Sequence, residues 1–148
     1  MSLPTEFDFM IVKIGDGEAT ETFTAICGIE NVQINEVANT SDRYVRDCAK
    51  PGAVPNRKTK TTGKQVDITG NGFSNADEIA GLRAALGIVG NYQIEGYQED
   101  GTDTGALLGT YAGAFNLTAN NLNVPRDGDA TMEITLASDG AVTYTAAP

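Results

Sequence analysis

With no His and no Trp among its 148 residues, the chain lacks the commonest general base and metal ligand, so any acid–base chemistry would rest on carboxylates. These gather at Asp16 with Glu18, at Glu99 with Asp100 and Asp103, and at Asp127 with Asp129. Paired carboxylates can cleave glycosidic bonds, one protonating the leaving oxygen while the other attacks or activates water. Each cluster, however, lies in a Gly-rich stretch ("GDGEAT", "EDGTDTG", "RDGD"), where a solvated turn acid is the default. "DGTDTG" (100–105) has oxygen ligands for a weak Ca²⁺ loop, and a plain hairpin turn accounts for it better. "TGNGFSN" sets Gly70 and Gly72 ahead of a helix, but Asn75 occupies the third glycine position of a dinucleotide loop and no crossover to a parallel strand follows. "GKQ" (63–65) lacks the earlier glycine and the Ser or Thr of a phosphate-binding loop. Neither catalysis nor a metal or cofactor is expected.

Charge distribution is more informative. The net charge is −10, yet the segment from Asp42 to Lys64 carries Arg43, Arg46, Lys50, Arg57, Lys58, Lys60 and Lys64 against only Asp42 and Asp47, a local net of +5. The remainder holds three basic residues against eighteen acids. A solvated basic loop without a partner is the plainest reading of such a segment. Nucleic-acid binding fits poorly, because only Tyr44 is available for stacking and the acidic body repels phosphates. An oppositely charged arm and body suit a head-to-tail contact between identical subunits, which builds rings or stacks instead of closed dimers.

The elements that would carry these groups read as mainly β. A hydrophobic content of 41% with seventeen Gly marks a chain that folds, and its length suits one domain spanning 1–148. "FDFMIVKI" (7–14) and "TETFTAIC" (20–27) form a hairpin about a turn cluster, and "NVQINEV" (31–37) alternates as a short strand. From Ala38 to Gly63 no period survives, and Pro51 and Pro55 favour a stiff, extended tip. "KQVDITGNG" (64–72) alternates again. One helix follows, capped by Ser74, with Ile79, Leu82 and Leu86 on its core face, Arg83 pointing away and Gly87 as its stop. Strands are expected at 91–99, 109–119, 129–137 and 141–146, the last two separated by "SDG". The fold class is therefore an antiparallel β-sandwich or barrel of about seven or eight strands flanked by one α-helix. The N-terminus shows neither a basic n-region nor an apolar h-region, and "ALLGTYAGAF" (106–115) is about half a bilayer span, so export and membrane insertion are not expected. Cys27 and Cys48 are expected as small buried groups without a disulfide.

The order of these features resembles the major tail tube protein of long-tailed, siphovirus-like bacteriophages and related phage-tail-like particles. The matching stretches are the hairpin "DFMIVKIGDGEATETFTAICGIENVQIN" (8–35), the long loop "NTSDRYVRDCAKPGAVPNRKTKTTG" (39–63), the strand "KQVDITGNGF" (64–73), the helix (74–86) and the closing strands (109–148). The resemblance implies a tail-tube fold, hexameric rings stacked into a tube in the virion tail, and passage of DNA through the lumen without specific binding. It also implies partners: further copies of the chain, a tape-measure protein, a tail terminator, and tail-tip or baseplate proteins. In this setting the loop at about 38–63 becomes an inter-ring arm, with Arg43, Arg46, Lys50, Arg57, Lys58 and Lys60 contacting acids of a neighbour while Pro51 and Pro55 hold the tip extended. Glu21, Asp67, Glu95 and Glu133 alternate with apolar Phe23, Val66, Ile94 and Met132, and are candidate lumen-facing acids. The competing class is a monomeric or dimeric β-sandwich binding or adhesion module, which usually displays exposed aromatics on one face.

Overall fold

The computed structural model describes residues 2–148, in which seven strands form a single antiparallel sheet. In chain order these are β1 (Phe9–Gly15), β2 (Phe23–Ala25), β3 (Ile29–Val45), β4 (Asn56–Phe73), β5 (Val89–Gln98), β6 (Ala106–Asn123) and β7 (Thr131–Ala146), with one helix, α1 (Ala76–Ala85), between β4 and β5. The spatial order is β2-β1-β5-β6-β7-β4-β3. Because β2 and β3 are consecutive in the chain yet sit at opposite edges, the sheet is rolled, and residues 26–28 bridge its two edges. Ile26 donates to the Val12 carbonyl on one side, and Phe73 donates to the Gly28 carbonyl on the other.

Alternation along the strands sends one set of side chains into the roll. Val12, Ile68, Tyr92, Ile94, Phe115, Leu117, Met132, Ile134 and Leu136 are buried there, with Tyr92 and Phe115 packed edge to face at 6.2 Å. Closure depends on two glycines. Gly28 takes φ +110°, and a Cβ on Gly72 would lie 2.0 Å from the Gly28 carbonyl oxygen, so the backbones cross where no side chain fits.

Several expectations from the sequence need correction. Residues 38–63 are not an irregular arm: most of them belong to β3 and β4, which pair out to Val45 opposite Asn56, with one bulge at Thr62, and leave a short tip at 46–55. The period was invisible because this ribbon has no buried face. "SDG" does not separate two strands; β7 runs through it with a bulge, register stepping from Val142 opposite Gly113 to Ser138 opposite Phe115, and Gly140 supplies φ +104°. The helix cap is Asn75, whose side chain accepts from the Asp77 amide at 3.1 Å, and not Ser74. On α1, Leu82 is buried and Ile79 half-buried, whereas Leu86 is the C-cap and is 46% exposed. Gly87 follows with φ +78°, as its position after a helix end requires. Cys27 and Cys48 are both exposed and free.

Candidate functional site

Beyond the rolled body the outer half of β3 and β4 stands alone. β4 pairs with β7 only from Asp67 to Phe73, so from about Val37 outward the two strands pair only with each other, over roughly 30 Å at 3.3 Å per residue. An isolated two-stranded ribbon with no hydrophobic face is marginal in water. This one is also charged against itself. Arg43 lies directly opposite Lys58 and Ser41 opposite Lys60, placing three cations side by side on one face. Like charges in directly opposed positions are destabilising, and no described acid forms an ion pair with them. The other face carries Tyr44, 74% exposed, opposite Arg57.

The tip is held by its own side chains. Arg46 donates from Nη1 to the carbonyls of Pro51 (2.6 Å) and Ala53 (3.2 Å), while Asp47 accepts from the Ala49 amide (2.9 Å). Arg46 is thus committed within the turn. Lys50, Pro51 and Pro55 lie in or beside this turn, Lys50 exposed at its apex with Val54, which is 86% exposed. Arg43, Arg57, Lys58 and Lys60 are exposed along the ribbon.

The acids named from alternation do not form one group. Glu21 lies outside the strands, its carboxylate accepting from the Gly17 amide (2.9 Å) and from Asn91 Nδ2 (2.8 Å). Asp67, Glu95 and Glu133 lie on the outer face of the sheet, opposite in parity to the buried Ile68, Ile94 and Met132. Glu95 is neutralised by Lys13, whose Nζ stands 3.0 Å away in the one ion pair among the described residues. It also accepts from Tyr97 Oη, and that hydrogen bond, with burial and the nearby negative charge, pushes the phenol up to about 12. Asp67 is half-buried and accepts from Gln65 Nε2 at 3.0 Å. Glu133 is exposed, and its neighbours across the sheet are Asn71 and Asn121. Around Asp67 and Glu133 the outer face of β4, β7 and β6 presents Thr69, Thr135, Ala119 and Ala137, small side chains without cations.

Sequence reasoning missed a groove of about 460 Å³ at the end of the ribbon farthest from its tip, where Glu30, Phe73, Leu122 and Glu133 meet. Phe73 and Leu122 are each more than half exposed there. Phe73 is exposed on the outer face, where a lone apolar residue carries no periodic signal, whereas Leu122 shares the face of the buried Met132 and is exposed because it lies at the strand end.

Among the described residues no cluster of three or more potential ligands could hold a metal ion, and no helix is long and apolar enough to cross a membrane. The acid turn 99–105 closes on itself, with Asp100 accepting from the Thr102 amide and hydroxyl, and these bonds hold its carboxyl below the usual range.

The molecule is thus a small rolled sheet that projects an exposed, cationic two-stranded ribbon. Residues 4–144 match the family described as "Phage tail tube protein", and the chain belongs to that family as a structural component of the virion tail tube. Its fold is similar to a chain of the native gene transfer agent virion (TM-score 0.68, 21% identity, covering 96% of this chain and 99% of that one). It is likewise similar to one from the tail of the empty gene transfer agent particle, refined with C6 symmetry (0.66, 23%, 92% and 95%). The SPP1 tail tube shares the fold at 10% identity (0.63, 97% and 80%). No curated protein matches the chain.

Proposed function

We propose that the chain, acting as one domain, forms hexameric rings that stack into a tail tube, and that the β3–β4 ribbon is the arm joining one ring to the next. The observation that carries this reading is the ribbon itself: about 30 Å of exposed strand with like charges opposed is stabilised only when a second surface supplies acids and buries its faces. Six-fold rings are supported by the C6 tail of similar fold. A heterologous contact between an arm and a body repeats without closing, as a tube requires. The tube is the conduit for DNA ejection, and the outer face of β4, β6 and β7, small side chains beside the carboxylate of Asp67, is the wall that DNA passes. Glu95 contributes little to that wall, because Lys13 neutralises it. A tape-measure protein within, a terminator at one end and tip or baseplate proteins at the other complete the assembly.

The test replaces residues 41–60, which leaves the facing pair Thr40 and Thr61 in place, with Asn-Gly, a two-residue hairpin turn. The variant should melt like the parent, because the excised residues bury nothing in the core, and should form no tubes in negative stain. Long tubes from this variant would refute the arm.

A further inference from the structure

We propose that the cationic face of the ribbon, centred on the opposed pair Arg43 and Lys58, docks in the Glu30–Glu133 groove of a second copy of this chain. The proposal rests on the reading of the ribbon as an inter-ring arm and names its acceptor. Three observations carry it. First, Arg43, Lys58 and Lys60 share a face and have no acidic partner among the described residues. Second, Glu30 and Glu133 are exposed, and neither carboxylate takes part in a hydrogen bond or ion pair among the described residues, although both border a concave site of about 460 Å³. Third, the two surfaces lie at opposite ends of one ribbon: Ile29 pairs with Gly72 at the groove, and Val45 pairs with Asn56 at the tip.

Cations at one end and carboxylates at the other make the ribbon complementary to a copy displaced along its own axis, which produces an open stack. The tip's Val54 and the groove's Phe73 and Leu122 add exposed apolar surface to both sides of the contact. The placement also limits the spacing of copies. Glu30 and Arg43 lie on the same strand, thirteen residues apart, about 43 Å at 3.3 Å per residue, so the axial repeat is bounded by that length plus the reach of the paired side chains and shortens if the ribbon tilts. Pairing the arginine and lysine with carboxylates at the seam between rings further removes cations on which passing DNA would catch.

The experiment compares three full-length variants for tube formation by sedimentation and negative stain, with thermal melting to check folding: Arg43→Glu with Lys58→Glu, Glu30→Lys with Glu133→Lys, and all four together. Each pair reversal should lower the polymerised fraction on the order of tenfold, because like charges are forced together, and the fourfold variant should recover it. All three should melt like the parent, since these side chains are exposed; should a reversal unfold the chain, Glu30→Gln with Glu133→Gln provides the milder test and should weaken polymerisation in the same direction. If the ribbon reversal blocks tubes while the groove reversal polymerises normally, the acceptor lies elsewhere, for example on the acidic turn 99–105, and the arm reading stands. Failure of the fourfold variant to recover overturns the pairing, as does a measured repeat well above 43 Å. Tubes formed after the Asn-Gly replacement would remove the arm reading itself.

Discussion

Single residues decide whether the roll closes. Gly28 and Gly72 let two backbones cross at a distance no Cβ tolerates, and the groove residues Phe73 and Glu30 follow Gly72 by one residue and Gly28 by two. Gly72→Ala should therefore lower stability by about 1–3 kcal/mol or more in thermal melts, by forcing the crossing apart. Gly63→Ala, where an added Cβ meets nothing within 4 Å, should change it by less than about 0.5 kcal/mol. Tyr97 offers a test by pH. Its phenol titrates near 12 in the folded chain against an ordinary value of 10, so folding favours the protonated form. That stabilisation is complete below pH 10 and is lost as pH rises from about 10 to 12. Tyr97→Phe, which has no phenol to ionise, should lose less stability across that window than the parent when melting temperature is followed against pH.

At the level of elements, α1 is anchored by few side chains. Leu82 is buried against the sheet, and Leu82→Ala should cost about 2–5 kcal/mol. Arg83→Ala should be neutral within about 0.5 kcal/mol, and Leu86→Ala should cost no more than about 1 kcal/mol, because Leu86 caps the helix with nearly half its surface in water. Denaturant melts of the three variants check this order, and a Leu86→Ala loss equal to that of Leu82→Ala would contradict the helix orientation. The β3–β4 ribbon is the opposite case. It has pairing without packing, so its excision spares the core, whereas removing only residues 50–60 would cut β4 and leave the outer part of β3 unpaired.

For the whole molecule the decisive quantity is where charge lies. A body with eighteen acids and a ribbon segment of net +5 should assemble less readily as salt rises, because exposed charges are screened within about 10 Å at 0.1 M. The wall proposed for the lumen makes a separate prediction. Asp67→Lys should leave tubes intact but cause them to retain duplex DNA in co-sedimentation, with retention falling steeply as salt increases, while parent tubes retain none. Retention by parent tubes, or none by the variant, would count against the conduit wall as drawn here.

Much of this architecture was legible in the chain. Val12, Ile68, Ile94, Met132, Ile134 and Leu136 betray their strands by alternation, because one face of each is buried and selection by water leaves a period of two. The basic segment was legible as charge, since charge is a property of composition. Its conformation was not: Thr40–Val45 and Asn56–Thr62 are strands with water on both faces, where partner hydrogen bonds supply the order and no hydrophobic pattern records it. The same limit hid the continuity of β7 through "SDG", where a bulge replaced a turn because β6 supplies hydrogen bonds on both sides of it. It also hid Glu95's attachment to Lys13, because alternation can assign a carboxylate to a face but cannot say which cation stands beside it. The meeting of Glu30 with Glu133 arose for the same physical reason: residues about a hundred positions apart become neighbours only when β4 pairs with β3 on one side and with β7 on the other.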